Sequence, residues 1–504
     1  MTHLSSDRAR KSRVLAAVCI ASGTMPMTFT GPAVALGSIA DAFGAAPSAL
    51  AWVTNAFMLA FGSALMAAGA MADRHGRKRV FLIGIAVFLL ASGGLTAAPD
   101  MRVFDLLRGL QGLGGAAIFA GGAAALAQEF DDDARVRAFS LLGTSFGIGL
   151  VLGPVVAGQL SAAFGWRAIF ALVIATSALA GLLGQEAMRP SRDPEAHTFD
   201  WWGAASFTAG LTLVTTAVLT AAESGWRDAR VLGGFLAAAV AFGLFVAIER
   251  RSARPMLDLS LFRYRRFLGI QLLAAAPAYA FVVLLVFLPM RFVGIEGLGQ
   301  AHAGWLMATL SAPLTALPLA AGLLARRFSA ATLCAGGLLV AAMGLLWLAW
   351  AGPSAAAIPA MILIGIGISL PWGLMDGLAV SVVPRERAGM ATGIFSTTRV
   401  AGEGLALAIV GTTLAALIRE RLPTDSRGPV AAAAQSLANG RLAVAMDLLP
   451  GATASALSRA CEQAFSTLLV GLAGITTATA LFVWLSLARS GADTAPARNS
   501  RQSA

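Results

Sequence analysis

Gly69-Ala-Met-Ala-Asp73-Arg74-His75-Gly76-Arg77-Lys78-Arg79 is a basic stretch that closes one uncharged apolar run, residues 50–71, and opens the next, residues 80–98. The same alternation recurs along the chain. Working outward, apolar runs fall at 14–39, 50–71, 80–98, 104–127, 138–160, 168–187, 203–221 and 231–248. Six more follow at 268–290, 303–324, 330–351, 356–382, 390–417 and 466–488. A helix needs about 20 apolar residues to cross a hydrocarbon core about 30 Å thick, at about 1.5 Å per residue, and each run supplies that length. Charged residues make up 12 % of the chain, about half the ~25 % of a soluble domain, so this chain cannot cover itself with charge in water. The reading is an all-α polytopic membrane protein with fourteen transmembrane helices.

The net charge of +11 does not mark a nucleic-acid partner, because the basic residues are scattered between apolar runs and form no contiguous face. Most of them cluster in alternate connections: Arg8, Arg10, Lys11 and Arg13 before the first run, Arg74 to Arg79, Arg135 and Arg137, Arg189 and Arg192, Arg250 to Arg266, Arg326 and Arg327, and Arg385 and Arg387. Short basic connections stay inside the cell, which predicts an inner-membrane protein with both termini cytoplasmic. The first run exceeds the 7 to 15 apolar residues of a secretory signal, and thirteen more follow, so it is read as retained.

Cys19, Cys334 and Cys461 are few and far apart, and His3, His75, His197 and His302 have no zinc spacing. The only lysines, Lys11 and Lys78, lie in no phosphate-binding glycine loop. The expectation is therefore no metal, no cofactor and no enzymatic activity, with any energy drawn from an ion gradient.

After the tenth run, Gly322-Leu-Leu-Ala-Arg326-Arg327-Phe328-Ser329 repeats the pattern Gly-x-x-Ala-x-Arg of the loop at 69–79. Matching the two loops divides the chain into two six-helix bundles with two inserted helices between them: residues 1–200, 201–250 and 251–490. An external loop falls at 419–465, with short amphipathic helices expected in it, and a disordered cytoplasmic tail at 491–504. Repeated halves place a substrate cavity at their interface near the bilayer midplane.

The first loop, Gly69-x-x-x-Asp73-Arg74-x-Gly76-Arg77-Lys78-Arg79, resembles the signature loop of the major facilitator superfamily. Arg108-x-x-Gln111-Gly112-x-Gly114 resembles its second motif, and Gly149-x-x-x-Gly153-Pro154-x-x-Ala157-Gly158 resembles the motif of its antiporters. Fourteen spans with a long loop before the last are similar to the drug:proton antiporter branch. That resemblance implies a proton-coupled exporter of hydrophobic or cationic compounds working by alternating access. Two positions depart from the pattern: Ala157 replaces a glycine, and the first span has Thr28 about where the branch carries an acidic residue.

The motifs also have their own physics. Gly69 and Gly76 permit a tight turn, and Arg74 and Arg77 hold the loop inside. Asp73 serves either as a topology anchor or as a latch on one conformation, beside a helix N-terminus or an arginine of the other bundle. Gly143, Gly147, Gly149 and Gly153 form two Gly-x-x-x-Gly pairs that allow close helix contact, and Pro154 removes a backbone donor.

Charge inside a span is costly and marks function by default. Four such residues stand out: Arg108, Asp376, Arg399 and Glu403. Asp376 lies about 12 Å and Arg399 about 18 Å from the basic ends of their spans, so the two can meet across helices; alternatively, Arg399 and Glu403, four apart, form a pair within one helix. Asp376, Glu403 and Arg399 are the proton-coupling candidates, and Trp372, Arg108, Gln111 and Thr28 the candidate cavity lining. Trp372 shares a face with Asp376 and suits a cationic substrate through its ring, although helix packing accounts for it nearly as well. The expected partners are a small-molecule substrate, protons and the lipid bilayer, with the chain a monomer and any outer-envelope efflux partner unidentified. A specific metabolite or nutrient transporter, symporter or uniporter, is the alternative, and a non-transporting receptor a third.

Overall fold

The computed structural model describes residues 2–130, 132–191, 200–252, 257, 259–352, 354–381, 388–422 and 429–488; the tail at 491–504 lies outside them. Among the described residues there is no strand, and fourteen helices are long and apolar enough to cross a membrane.

The first half contains α1 (Thr2–Val34), the short α2 (Leu36–Phe43), α3 (Pro47–His75), α4 (Arg77–Thr96), α5 (Met101–Glu129), α6 (Asp132–Phe164) and α7 (Arg167–Ala187). The inserted pair is α8 (Trp201–Ser224) and α9 (Ala229–Arg251). The second half contains α10 (Arg265–Pro277), α11 (Val283–Gly294), α12 (Gln300–Ser311), α13 (Pro313–Leu324), α14 (Ala330–Trp350), α15 (Ser354–Ser381), α16 (Ala388–Arg421), the short α17 (Val430–Ala438) and α18 (Leu442–Leu448), and α19 (Ala454–Ala488).

Helix ends are set locally. Asp100 and Asp200 cap α5 and α8, their carboxylates accepting from the Val103 and Gly203 amides at 2.9 and 2.7 Å. Gly76 separates α3 from α4 at φ 105°, a backbone region L side chains avoid. Besides the run 14–39, which breaks at Ala35 between α1 and α2, two runs that the sequence presents as single spans are interrupted. Pro277 ends α10, and a π-helical turn, Ala278–Val282, leads into α11. Pro313 opens α13 directly after α12. In each, proline lacks the amide proton and crowds the preceding turn.

Within each half, glycine brings backbones together. Added Cβ atoms on Gly114 and Gly367 would come within 2.8 Å of Phe88 N on α4 and 2.6 Å of Gly337 O on α14, respectively. The inserted α8 packs on both α3 and α16, one helix from each half, and the Thr412 hydroxyl of α16 donates to the Val218 carbonyl at 3.0 Å. Its partner α9 is the least covered of the spans, with 17 % of its apolar window buried, which leaves most of it to lipid.

The loops at 69–79 and 322–329 lie at one end of the bundle, called here the basic end. At the opposite end the two halves are fastened together. Gln300 Nε2 donates to Ser38 Oγ at 2.7 Å, and Arg441 pairs with Asp41 at 2.7 Å while donating to the Ala45 carbonyl at 3.1 Å. The segment expected as a loop over 419–465 is shorter than that, because α16 runs on to Arg421 and α19 begins at Ala454. Its helix α17 is packed into the protein, with Ala433 to Ala438 all buried.

Sidedness is testable in a cysteine-free background. Single cysteines at the exposed positions Ser329 and Asp447 should react from opposite faces of the membrane, Ser329 from the cytoplasm, as positive-inside orientation requires. A cysteine at the fully buried Ser436 should resist labelling from either side in this conformation. Reaction of Ser329 and Asp447 from the same side would refute the fourteen-span arrangement.

Candidate functional site

The seam between the halves is where three helices bring aromatic and charged side chains together. On α15, Trp372 and Asp376 are one turn apart, and Trp372 faces the first half, where its ring stacks on Phe146 of α6 at 6.4 Å and 30°. From α16, the Arg399 guanidinium lies 5.8 Å from the Trp372 ring centre, 6.0 Å from Phe146 and 5.7 Å from Phe395. Its Nη1 is 3.5 Å from Asp376 Oδ1. The Asp376 side chain is 59 % exposed and that of Arg399 only 9 %, so the pair spans the boundary between accessible space and the packed seam. Glu403, one turn further along α16, is 2 % exposed. No hydrogen bond to its carboxylate occurs among the described residues.

Arg108 and Gln111 occupy a different place. Both are fully buried inside the first half. Arg108 donates to the Val53 carbonyl of α3 at 2.6 Å and to Gln111 Oε1 at 2.5 Å, and its guanidinium lies 4.8 Å over the Phe57 ring. Gln111 in turn donates to Ser92 of α4 at 2.8 Å. A row of rings separates this cluster from the seam: Phe57 to Phe61 at 5.7 Å, Phe61 to Phe119 at 6.2 Å and Phe119 to Phe146 at 6.3 Å. Thr28 is also fully buried and donates to the Thr24 carbonyl of its own helix at 2.9 Å. In this conformation Arg108, Gln111 and Thr28 are thus not grouped with Asp376 and Arg399.

The basic loop docks on its own half. Arg77 N donates to the Ser191 carbonyl at 3.1 Å and Lys78 Nζ to the Gln185 carbonyl at 2.6 Å. Asp73 lies 3.5 Å from Arg77, one turn on; Arg74 is exposed, and a Cβ on Gly69 would meet nothing within 4 Å. In α6, the glycine motif faces two ways. Gly149 and Gly153 press on the backbones of Gly23 and Met27 in α1, whereas Gly158 presses on Gln300 and Pro154 on Gly304, both in α12 of the other half. The motif therefore packs α6 internally and also forms part of the contact between halves.

The Major Facilitator Superfamily model matches residues 16–406, more than three quarters of the chain. The chain belongs to the major facilitator superfamily. The multidrug resistance protein Stp of Mycobacterium tuberculosis is 31 % identical over 393 residues, 77 % of this chain and 73 % of that protein. The multidrug efflux pump LfrA of Mycolicibacterium smegmatis is 30 % identical, with 86 % and 87 % covered. Among solved structures, a bacterial homologue of the human lysosomal transporter Spinster, inward-facing and unoccupied, shares the fold with a TM-score of 0.63 at 17 % identity, covering 95 % of this chain and 97 % of that one.

Within this superfamily fold, three side chains that the sequence reading passed over belong to the charged clusters. Phe146 and Phe395 surround Arg399, and Asp105 lies one turn before Arg108, inside the same span. Asp105 was open to the rule on in-span charge; the two phenylalanines carry no signal of their own in a chain with 27 of them.

The glycine contacts predict a contrast within one helix. Gly143→Ala meets nothing within 4 Å, whereas Gly149→Ala collides with the Gly23 carbonyl. Overpacking costs about 1 to 3 kcal/mol, so Gly149→Ala should lower the thermal unfolding midpoint of the detergent-purified protein and Gly143→Ala should leave it unchanged. Equal midpoints would show that α1 and α6 separate without cost.

Proposed function

We propose that this chain is a proton-coupled secondary transporter that exports hydrophobic or cationic compounds by alternating access. The observation that carries this reading is the seam cluster: a solvent-reached carboxylate, Asp376, ion-paired to a guanidinium that is itself enclosed by aromatic rings. Rings beside a carboxylate attract an organic cation. A second carboxylate, Glu403, is withdrawn from water on the same helix as the guanidinium. Carboxylates that lose and regain water as the halves rock can load and release a proton once per cycle. The similarity to proteins named as a multidrug resistance protein and a multidrug efflux pump supports the same reading.

The fastening of Ser38 and Asp41 to Gln300 and Arg441 is then the closed external gate, and the basic end opens to the cytoplasm. The Asp73 loop acts as the latch of the opposite conformation, in which the basic end closes. Because a shifted two-state equilibrium changes cycling more than folding, Asp73→Asn should lower transport turnover sharply with insertion and expression near wild type. Turnover equal to wild type would reduce the loop to a topology anchor.

Coupling is tested in proteoliposomes with an imposed pH gradient, comparing Asp376→Asn with Glu403→Gln. Neutralising the coupling carboxylate should abolish uphill accumulation while sparing downhill exchange. Asp376 is the favoured carrier, since it is the carboxylate that solvent reaches and that Arg399 pairs with, whereas Glu403 is buried. Full uphill transport by both variants would overturn the assignment.

A further inference from the structure

Among the described residues two buried guanidinium groups lie beside aromatic rings, and they are held very differently. Arg108 has one ring at 4.8 Å and two short hydrogen bonds, at 2.6 and 2.5 Å. That is a locked side chain. Arg399 has three rings, at 5.7, 5.8 and 6.0 Å, each near the ~6 Å limit at which a cation still feels a ring face. Among the described residues its one hydrogen bond is that to Asp376, at 3.5 Å, beyond the 2.7 to 3.2 Å of an ordinary N–H···O contact. A cation retained by three distant faces and one long pair is loosely held where it stands.

The enclosure is also built from both halves. Phe146 belongs to α6, whereas Trp372 and Phe395 belong to α15 and α16. All three rings are buried, and Asp376 stands at their accessible edge. An aromatic enclosure with a carboxylate at its mouth is a receptor for a flat organic cation. Here its occupant is part of the chain.

We propose that Phe146, Trp372 and Phe395 form a substrate-binding cage whose resident occupant is the Arg399 guanidinium, so that a planar cation binds by displacing Arg399. The incoming cation takes over the ring faces and the Asp376 carboxylate. The displaced guanidinium, on a flexible three-carbon stem, swings along α16 toward Glu403, the acidic group one turn away. Phe146 and Phe395 thereby become specificity-determining residues: their faces reward a delocalised, flat cation over a compact one. A competing occupant also weakens apparent affinity by the fraction of time that it fills the cage. The proposal rests on the reading of this seam as the transport site, but it concerns binding and not coupling.

Equilibrium binding to the purified full-length protein, read from probe fluorescence with ethidium as the planar cation, separates the two. Removing the occupant with Arg399→Gln should tighten ethidium binding by about fivefold or more, and Arg399→Lys, which keeps the charge but not the flat face, should tighten it less. Phe146→Leu and Phe395→Leu should each weaken ethidium about fivefold, the loss expected for a ring face of ~1 kcal/mol, with competition by tetraethylammonium changed less than twofold. Weaker or unchanged ethidium binding in both Arg399 variants would overturn the cage, as would insensitivity to both phenylalanine variants. If Arg399→Gln does not fold, the lysine and phenylalanine variants still decide. Normal binding with no gradient-driven uptake by the wild type would instead sink the coupled-transport reading and leave the cage standing.

Discussion

Lipid gives two apolar helices no hydrophobic reason to touch, so contact in the membrane depends on how closely their backbones can approach. In this chain glycine sets that distance. Gly149 on Gly23 and Gly112 on the Phe57 carbonyl hold the first half together; Gly337 on Gly367 does so in the second. The same device joins the halves, through Gly158 on Gln300, Gly304 on Pro154 and Gly62 on Ala401. Such contacts release when the surfaces part and lose nothing to water, because they are not made of buried charge. That is what a seam must do if it is to open and close.

Charge is placed by the opposite logic. Where the halves stay rigid, charged groups are locked: Arg108 to the Val53 carbonyl and Gln111, and Arg10 to Glu129, which ties the start of α1 to the end of α5. Arg291 is held likewise by Glu296 at 2.9 Å near the start of α12. In the Arg399 cluster the pairing is looser, and Asp376 reaches solvent. A loosely held cation beside an accessible carboxylate can exchange partners, whereas a tightly held one cannot. The proposed exchange of partners at Arg399 rests on this difference from Arg108, which is held by two hydrogen bonds inside one half.

The inserted pair and the loop after α16 extend the scaffold without adding a third bundle. By lying on α3 and α16 together, α8 covers one side of the seam. Helix α17 fills the space beyond it, and Arg441 from the same loop reaches across to Asp41. The loop is therefore part of the closed end of the molecule and not a free appendage.

Composition and the spacing of charged clusters determined the helix count, because a hydrocarbon solvent imposes a fixed length and forbids unpaired backbone; the repeated loop at 69 and 322 indicated the two-bundle plan with its inserted pair, and the resemblance of three motifs indicated the family. Motif residues such as Gly69, Asp73 and Pro154 were legible for the same reason: glycine, proline and charge are rare and costly in that setting. The breaks at Pro277 and Pro313 were marked by proline but not their form. Only the tertiary structure decided that Arg108, Gln111 and Thr28 are enclosed in one half, that Arg399 reaches Asp376 across two helices, and that Phe146 and Phe395 surround it. Phenylalanine looks alike in sequence whether it faces lipid, core or cavity, and a charged residue does not announce its partner. Which faces meet is fixed by the packing of all fourteen helices at once, and no single span carries that information.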